Sequence, residues 1–212
     1  MASYFTLTLD TTAPTSASIS LPAVTNSTSV TATIAATGAS HMKFWGDVSG
    51  AATEGAASWQ TFANTASITL TSGDGTKTVN MKVKDDVGNE ATAVSDTTIL
   101  DSAGPTVTIT GPDVNRISKV ASYNTSTFSF SANEAFVEYK VKVVPSTSSV
   151  HSTGTQIGTT GGSTNMSGSG TYAANTPISC TIKGADLETA SAGDGAKIVK
   201  VFCKDANGNW SV

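Results

Sequence analysis

A seventeen-residue phrase occurs twice in this chain without a gap. Residues 73–89 read GDGTKTVNMKVKDDVGN and residues 193–209 read GDGAKIVKVFCKDANGN. Gly73, Asp74, Gly75, Lys77, Val79, Lys84, Asp85, Gly88 and Asn89 recur as Gly193, Asp194, Gly195, Lys197, Val199, Lys204, Asp205, Gly208 and Asn209. Self-similarity at a long spacing marks a structural unit used more than once. Each copy reads as turn, strand, turn. The Asp-Gly pair opens it, because Gly tolerates positive φ and Asp bonds to its own backbone. Val79, Met81 and Val83 then alternate with polar neighbours, the period of a half-buried strand. In the second copy Val199, Val201 and Cys203 take the inner face, with Ile198 and Phe202 on the other. The constraint is severe: the chain must hold two copies of one β domain.

The rest of the chain agrees. Its 212 residues suit two domains of about 100 residues, each large enough for a core. Ser and Thr make up about three residues in ten, and charged residues only 13%. Amphipathic Leu-rich helical stretches are missing. The net charge is −4 with no Lys/Arg cluster, which argues against a nucleic-acid partner. No apolar run approaches the ~20 residues of a membrane span. The N-terminus has neither basic flank nor apolar core, so the expectation is synthesis in the cytoplasm without a cleaved signal.

Two matching phrases mark the domain starts. Asp10-Thr-Thr-Ala-Pro14 and Asp101-Ser-Ala-Gly-Pro105 lie 91 residues apart. The expected organisation is an N-terminal strand over 1–10, a first domain over 11–101 and a second over 102–212. First strands are expected at 16–21 and 107–109, second at 29–34 and 127–130, third at 41–45 and 136–144. Strands over 67–70 and 178–182 lead into the repeated turn. The fold class is all-β: two tandem β-sandwiches. The GDG turns are 120 residues apart, so about 29 extra residues fall in the second domain. They form a Ser/Thr/Gly-rich insertion at about 145–177, expected as a partner-facing or a loose loop.

The two ends raise a further expectation. Residues 91–100 give the first domain a full last strand, whereas in the second domain the chain stops at Val212. Residues 3–9 alternate, with Phe5, Leu7 and Leu9 on one side, and run into Asp10 as residues 95–100 run into Asp101. An open sheet edge invites an added strand. Phe5, Leu7, Leu9, Trp210 and Val212 are therefore candidate interface residues. The alternative is that 3–9 pairs within its own first domain.

Chemistry-bearing residues are sparse. His41 and His151 lack partners at metal-ligand spacing and are expected at the surface. There is no Gly-x-Ser-x-Gly elbow and no phosphate loop. Asp10, Asp85, Asp86, Asp101 and Asp205 fall at turns or boundaries, where oxygen ligands can hold Ca²⁺. The competing role is turn capping, and no catalytic residue or bound cofactor is expected. Cys180 and Cys203 read as inward strand positions, either bridged or buried as free thiols. Trp45, Trp59 and Trp210 serve as core or plug residues or as sugar platforms, with Trp210 the glycan-contact candidate.

The stretch ITLTSGDGTKTVNMKVKDDVGNEA, with SWQTF before it and LDTTAPT as lead-in, resembles the immunoglobulin-like domains of bacterial surface proteins and phage virion proteins. GDGAKIVKVFCKDANGNWS with LDSAGPT fits the same pattern. The resemblance covers nearly the whole chain apart from the insertion. It implies tandem immunoglobulin-like sandwiches and no catalytic residues. It also implies a phage structural accessory protein on capsid, tail or fibre, borne on the virion surface. Its partners would be other virion proteins, copies of itself and cell-surface carbohydrate. A bacterial adhesin or surface-layer fragment, a carbohydrate-binding module and a hydrolase are the rivals.

Overall fold

Alternation of apolar and polar side chains builds the first half of the protein. The computed structural model describes residues 3–212, which divide into two units with the boundary between Ser102 and Ala103. In unit 1 the strands are β1 (Thr15–Ser20), β2 (Val24–Thr25), β3 (Ser29–Thr37), β4 (His41–Gly46), β5 (Gln60–Thr61), β6 (Thr65–Thr69), β7 (Gly75–Lys84) and β8 (Val94–Leu100). Every second residue of β3 (Val30, Ala32, Ile34) and of β7 (Val79, Met81, Val83) is buried. Facing strands supply Ile19, Ile68, Met42 and Phe44. Each such side chain contributes on the order of 1.5–3 kcal/mol on burial.

The strands form two sheets, β1-β3-β6 and β2-β8-β7-β4-β5. All neighbours are antiparallel except β2 and β8. The chain changes sheet at every step from β1 to β4, and again between β5 and β6 and between β6 and β7. Two such sheets around one core make an immunoglobulin-like sandwich. Strand β8 seals one side: it pairs with β7 from Gly75↔Leu100 to Met81↔Val94. It buries Thr98 and Leu100, and the Asp96 carboxylate accepts the Leu21 N–H at 2.8 Å.

Unit 2 repeats the plan with β9 (Val107–Thr110), β10 (Thr125–Ala132), β11 (Phe136–Val144), β12 (Thr155–Gln156), β13 (Ser167–Tyr172), β14 (Ile178–Lys183), helix α1 (Gly184–Ala190) and β15 (Ile198–Lys204). One sheet is β14-β10-β9. In the other, β11 pairs with β15 on one side and with β12 and β13 in succession on the other. The core is more aromatic than in unit 1. Phe130 lies 5.1 Å from Tyr139, and Phe136 stacks on Tyr172 at 4.8 Å. Gly168 is required beneath these rings, since a Cβ there would sit 2.3 Å from the Tyr172 hydroxyl.

Three expectations are corrected. Residues 3–9 form no strand; they run unpaired and exposed. Alternation confers strand propensity but a strand needs an edge, and in unit 1 the place beside β7 is held by β8. The 145–177 insertion is not a loose loop, because it supplies β12 and β13 and buries Ile157 and Met166 in the core. It is tied to α1 through Asp186, whose carboxylate accepts the N–H groups of Gly161 (2.6 Å) and Ser163 (2.9 Å). Burial pushes the Asp186 pKa up, but hydrogen bonds from the Ser163 side chain and from the Ser163 and Gly161 N–H groups outweigh it and hold it below the ordinary value. Helix α1 itself was not expected. It has seven residues and no side-chain cap, and packs Leu187 and Ala190 against the core.

The repeated turn has one construction in both units. Asp85 Oδ1 accepts the N–H groups of Val87, Gly88 and Asn89, and Oδ2 accepts Asn89 Nδ2 at 2.7 Å. Asp205 does the same for the N–H groups of Asn207 and Asn209 and for Asn209 Nδ2. Burial raises the Asp85 pKa, yet the four bonds together bring it below the usual carboxylate value.

Cys180 and Cys203 are free and fully buried, and burial pushes both thiols up to about 12. Thiolate is the reacting form. The folded protein is therefore expected to resist a thiol reagent at pH 8, and to take up two equivalents once unfolded in guanidinium. Rapid labelling of the native protein would contradict this burial.

Candidate functional site

The repeat makes a position-by-position comparison of β7 and β15 meaningful. Strand β7 has a neighbour on each side, β4 and β8. Strand β15 has one, β11. Its outer edge is met only at its far end, beyond the Asp205 turn. There Lys204 bridges to Trp210, Ser211 N donates to Cys203 O at 2.8 Å, and Cys203 N donates to Ser211 Oγ at 3.0 Å. The unit 1 equivalents are the Lys84–Glu90 bridge and the bond from Ala91 N to Val83 O, after which the chain continues into β8. Residues 195–201 correspond to the part of β7 that β8 covers. Among the described residues no strand pairs with them on that side.

Beside this edge lies a groove of about 880 Å³. Ile109, Val114, Ile117, Phe128, Leu187 and Val199 line it, with Arg116, Asp194 and Lys197 among its polar members. Phe128 also belongs to the unit 2 core. The groove therefore reaches the core where, in unit 1, β8 lies over it. Its wall at 112–117 is pinned. Asp113 Oδ1 accepts the N–H groups of Val114 and Thr127 at 2.7 Å, and Ser126 Oγ donates to Val114 O at 2.7 Å. The Thr127 bond is the main cause of the lowered Asp113 pKa.

The N-terminal candidates are solvent-facing. Phe5 is 87% exposed, Leu7 84%, Leu9 86% and the neighbouring Tyr4 94%. Large apolar side chains rarely stand so exposed in succession, and such a patch marks an interaction surface. Val212 is exposed as well, whereas Trp210 is half-buried.

Trp210 sits in a stack. The His151 ring lies 4.6 Å away and nearly parallel, and the ammonium groups of Lys140 and Lys204 are 4.8 and 5.3 Å from the indole centroid. Glu138 pairs with Lys140 at 3.0 Å and also with Lys204. The hydrogen bond from Lys204, then that from Lys140, lowers the Glu138 pKa. His151 is lowered by burial first and by the charges of Lys140 and Lys142 next. Gly104 permits the close passage of the chain here, since a Cβ on it would meet Trp210 O at 2.3 Å. In unit 1, Trp59 carries two ammonium groups, Lys43 and Lys84, each at 4.6 Å, while Phe62 packs on the core.

Of the carboxylates singled out from sequence, Asp10 and Asp85 are brought together by Asn89, whose Nδ2 donates to Asp10 O at 3.3 Å and to Asp85 Oδ2 at 2.7 Å. Asp10 accepts the Thr12 N–H, Asp85 and Asp205 cap turns, Asp86 is exposed, and the Asp101 N–H bonds to Thr25 O. Among the described residues no group of three or more His, Cys, Asp or Glu is placed to hold a metal ion. Neither histidine is fully exposed: His41 Nδ1 lies 2.9 Å from Ser40 Oγ, and His151 is in the stack. Sequence reasoning missed the groove wall. The available signal was Val114 and Ile117, two apolar residues between the strands expected at 107–109 and 127–130.

Neither a known protein family nor any curated protein matches the chain. Solved structures that overlay on it include fibronectin(III)-like modules of Clostridium thermocellum CbhA. These share 13% identity over 92% of this chain and 90% of that one, with a TM-score of 0.37. The D00-D0 domain of intimin shares 15% over 92% and 96%, with a TM-score of 0.33. Chitinase ChiA74 from Bacillus thuringiensis shares 15% over 92% of this chain, with a TM-score of 0.35. This chain spans 30% of the chitinase's length. The immunoglobulin-like assignment rests on the strand order and register given above.

The Glu138 shift sets a pH dependence. A carboxylate whose pKa is lower in the folded state stabilises the fold above its unfolded value, about 4.3. That contribution is lost as pH falls through the folded value. The melting temperature is expected to drop on acidification below about pH 4, with a smaller drop in Glu138→Gln. Equal acid sensitivity in the two proteins would show that Glu138 carries none of it.

Proposed function

We propose that the protein is a non-enzymatic structural accessory component of a phage virion, built into capsid, tail or fibre in many copies. Its partners are other virion proteins and further copies of itself, with cell-surface carbohydrate as a weakly held outer ligand. It works by shape and copy number, since repeated weak contacts add up to avidity. The supporting observation is the open edge of β15 over an apolar groove that reaches the unit 2 core. A sandwich presenting such an edge gains by association, because main-chain hydrogen bonds and apolar burial are both left to be made. The virion setting is taken from the resemblance of the two repeated phrases and their lead-ins.

Gradient-purified particles from the source lysate, probed with an antibody to this protein, test the setting. The protein is expected to sediment with particles at a fixed copy number. Recovery only with the cell envelope would overturn the virion reading in favour of an adhesin. A glycan array read with wild type and Trp210→Ala addresses the carbohydrate part. Signal lost in the variant supports contact at Trp210, and absence of signal from both removes carbohydrate as a ligand.

A further inference from the structure

We propose that the groove beside β15 is filled by residues 3–9 of a second copy of this chain, inserted as an antiparallel strand, so that copies join head to tail. The inference rests on the reading of the protein as a multi-copy structural component and names the partner at that site.

Four observations lead to this donor. The first is chain order. In unit 1, β8 completes one sandwich and then runs through Asp101–Pro105 into the next. Residues 3–9 run through the matching Asp10–Pro14 into unit 1, so they stand where a completing strand of a preceding sandwich would stand. The edge that such a strand would complete is the one beside β15.

The second is phase. Alignment on the two boundary phrases sets Leu9 with Leu100, Leu7 with Thr98 and Phe5 with Asp96. Thr98 and Leu100 are buried and Asp96 is partly buried, so Phe5, Leu7 and Leu9 fall on the inward face. The third is chemistry. In unit 1 the inward Asp96 answers a backbone N–H, that of Leu21. In unit 2 the groove is walled by Val114, Ile117 and Phe128, and the residue offered is Phe5. The fourth is availability. The segment is unpaired and exposed, and β8 already occupies the equivalent place in its own unit.

The register follows from β7–β8. Leu9 faces Gly195, Leu7 faces Lys197, Thr6 faces Ile198, Phe5 faces Val199 and Ser3 faces Val201. The inserted strand meets unsatisfied N–H and C=O groups along the edge and closes the core with three apolar side chains. A contact of this kind joins two different surfaces, so it propagates into rings or filaments.

The test uses the full chain. Wild type, run through size exclusion with light scattering across a dilution series, is expected to give masses that rise with concentration. Phe5→Asp with Leu7→Asp, at positions exposed in the free chain, is expected to give monomer with unchanged circular dichroism. The acetylated peptide SYFTLTLD, added to a chain lacking residues 3–9, is expected to bind in equimolar amount and raise the melting temperature. The peptide carrying both Asp substitutions is expected to do neither. Thr6→Cys combined with Ile198→Cys reads the register. Under mild oxidation it is expected to form an interchain ladder, whereas Thr6→Cys with Lys204→Cys is not.

Wild type that stays monomeric, together with a peptide that does not bind, would overturn the proposal. A Thr6–Ile198 bridge formed only within one chain would overturn the second copy as donor. If the protein still sediments with particles after deletion of 3–9, the structural reading stands and this donor is wrong. If association is lost on deletion but no particle carries the protein, the donor stands and the virion setting falls.

Discussion

A β-strand carries hydrogen-bonding groups on both edges, and in a sandwich one face of it must also be kept dry. Strand β7 satisfies both demands: β4 and β8 hold its edges, and the opposite sheet covers Val79, Met81 and Val83. Strand β15 belongs to the same repeated phrase and turns Val199, Val201 and Cys203 to its inner face, but it has only one neighbour. The architecture of unit 2 can be understood from that difference. Its turn, its Asp205 cap and the first bridge beyond the turn reproduce unit 1. The pairing then stops short of residues 195–201, leaving a groove against Phe128 and Leu187.

Unit 2 also gains where unit 1 is plain. The insertion lays β12 and β13 along the free side of β11, sends Ile157 and Met166 inward, and is fastened to α1 through Asp186. The cluster of Phe130, Phe136, Tyr139 and Tyr172 fills the space between the sheets. Aromatic side chains bury large area each and dominate core energetics. On the same sheet, Trp210, His151, Lys140, Lys204 and Glu138 bring the returning chain and the insertion against β11 and β15.

Much of this was legible in the residues. Val79-Met81-Val83 and Val30-Ala32-Ile34 announce half-buried strands by their period, and the Asp-Gly and Gly-Asn pairs announce the turns. Strands were foreseen at 136–144 and, within a few residues, at most other positions. What failed to show did so for physical reasons. The 3–9 stretch has the period of a strand, but pairing depends on an available edge, which local sequence does not encode. The insertion is rich in Ser, Thr and Gly, and its core residues, Ile157, Met166 and Tyr172, are too far apart to make a pattern. Helix α1 is a single short run with Leu187 and Ala190 packed. The groove needs the loop at 112–117 and the edge at 195–201 together, and they meet only in space. The two cysteines read correctly as inward positions, because alternation alone decides that.

The account turns on whether residues 195–201 are an unpaired edge in the isolated chain. Amide hydrogen exchange, measured on the dilute monomer, reads this residue by residue. Fast exchange is predicted at the amides of 195–197 and at those of 198–201 that face away from β11, beside slow exchange at the matching amides of β7 under β8. Equal protection of both sets in the monomer would contradict it, since the edge would then already be covered.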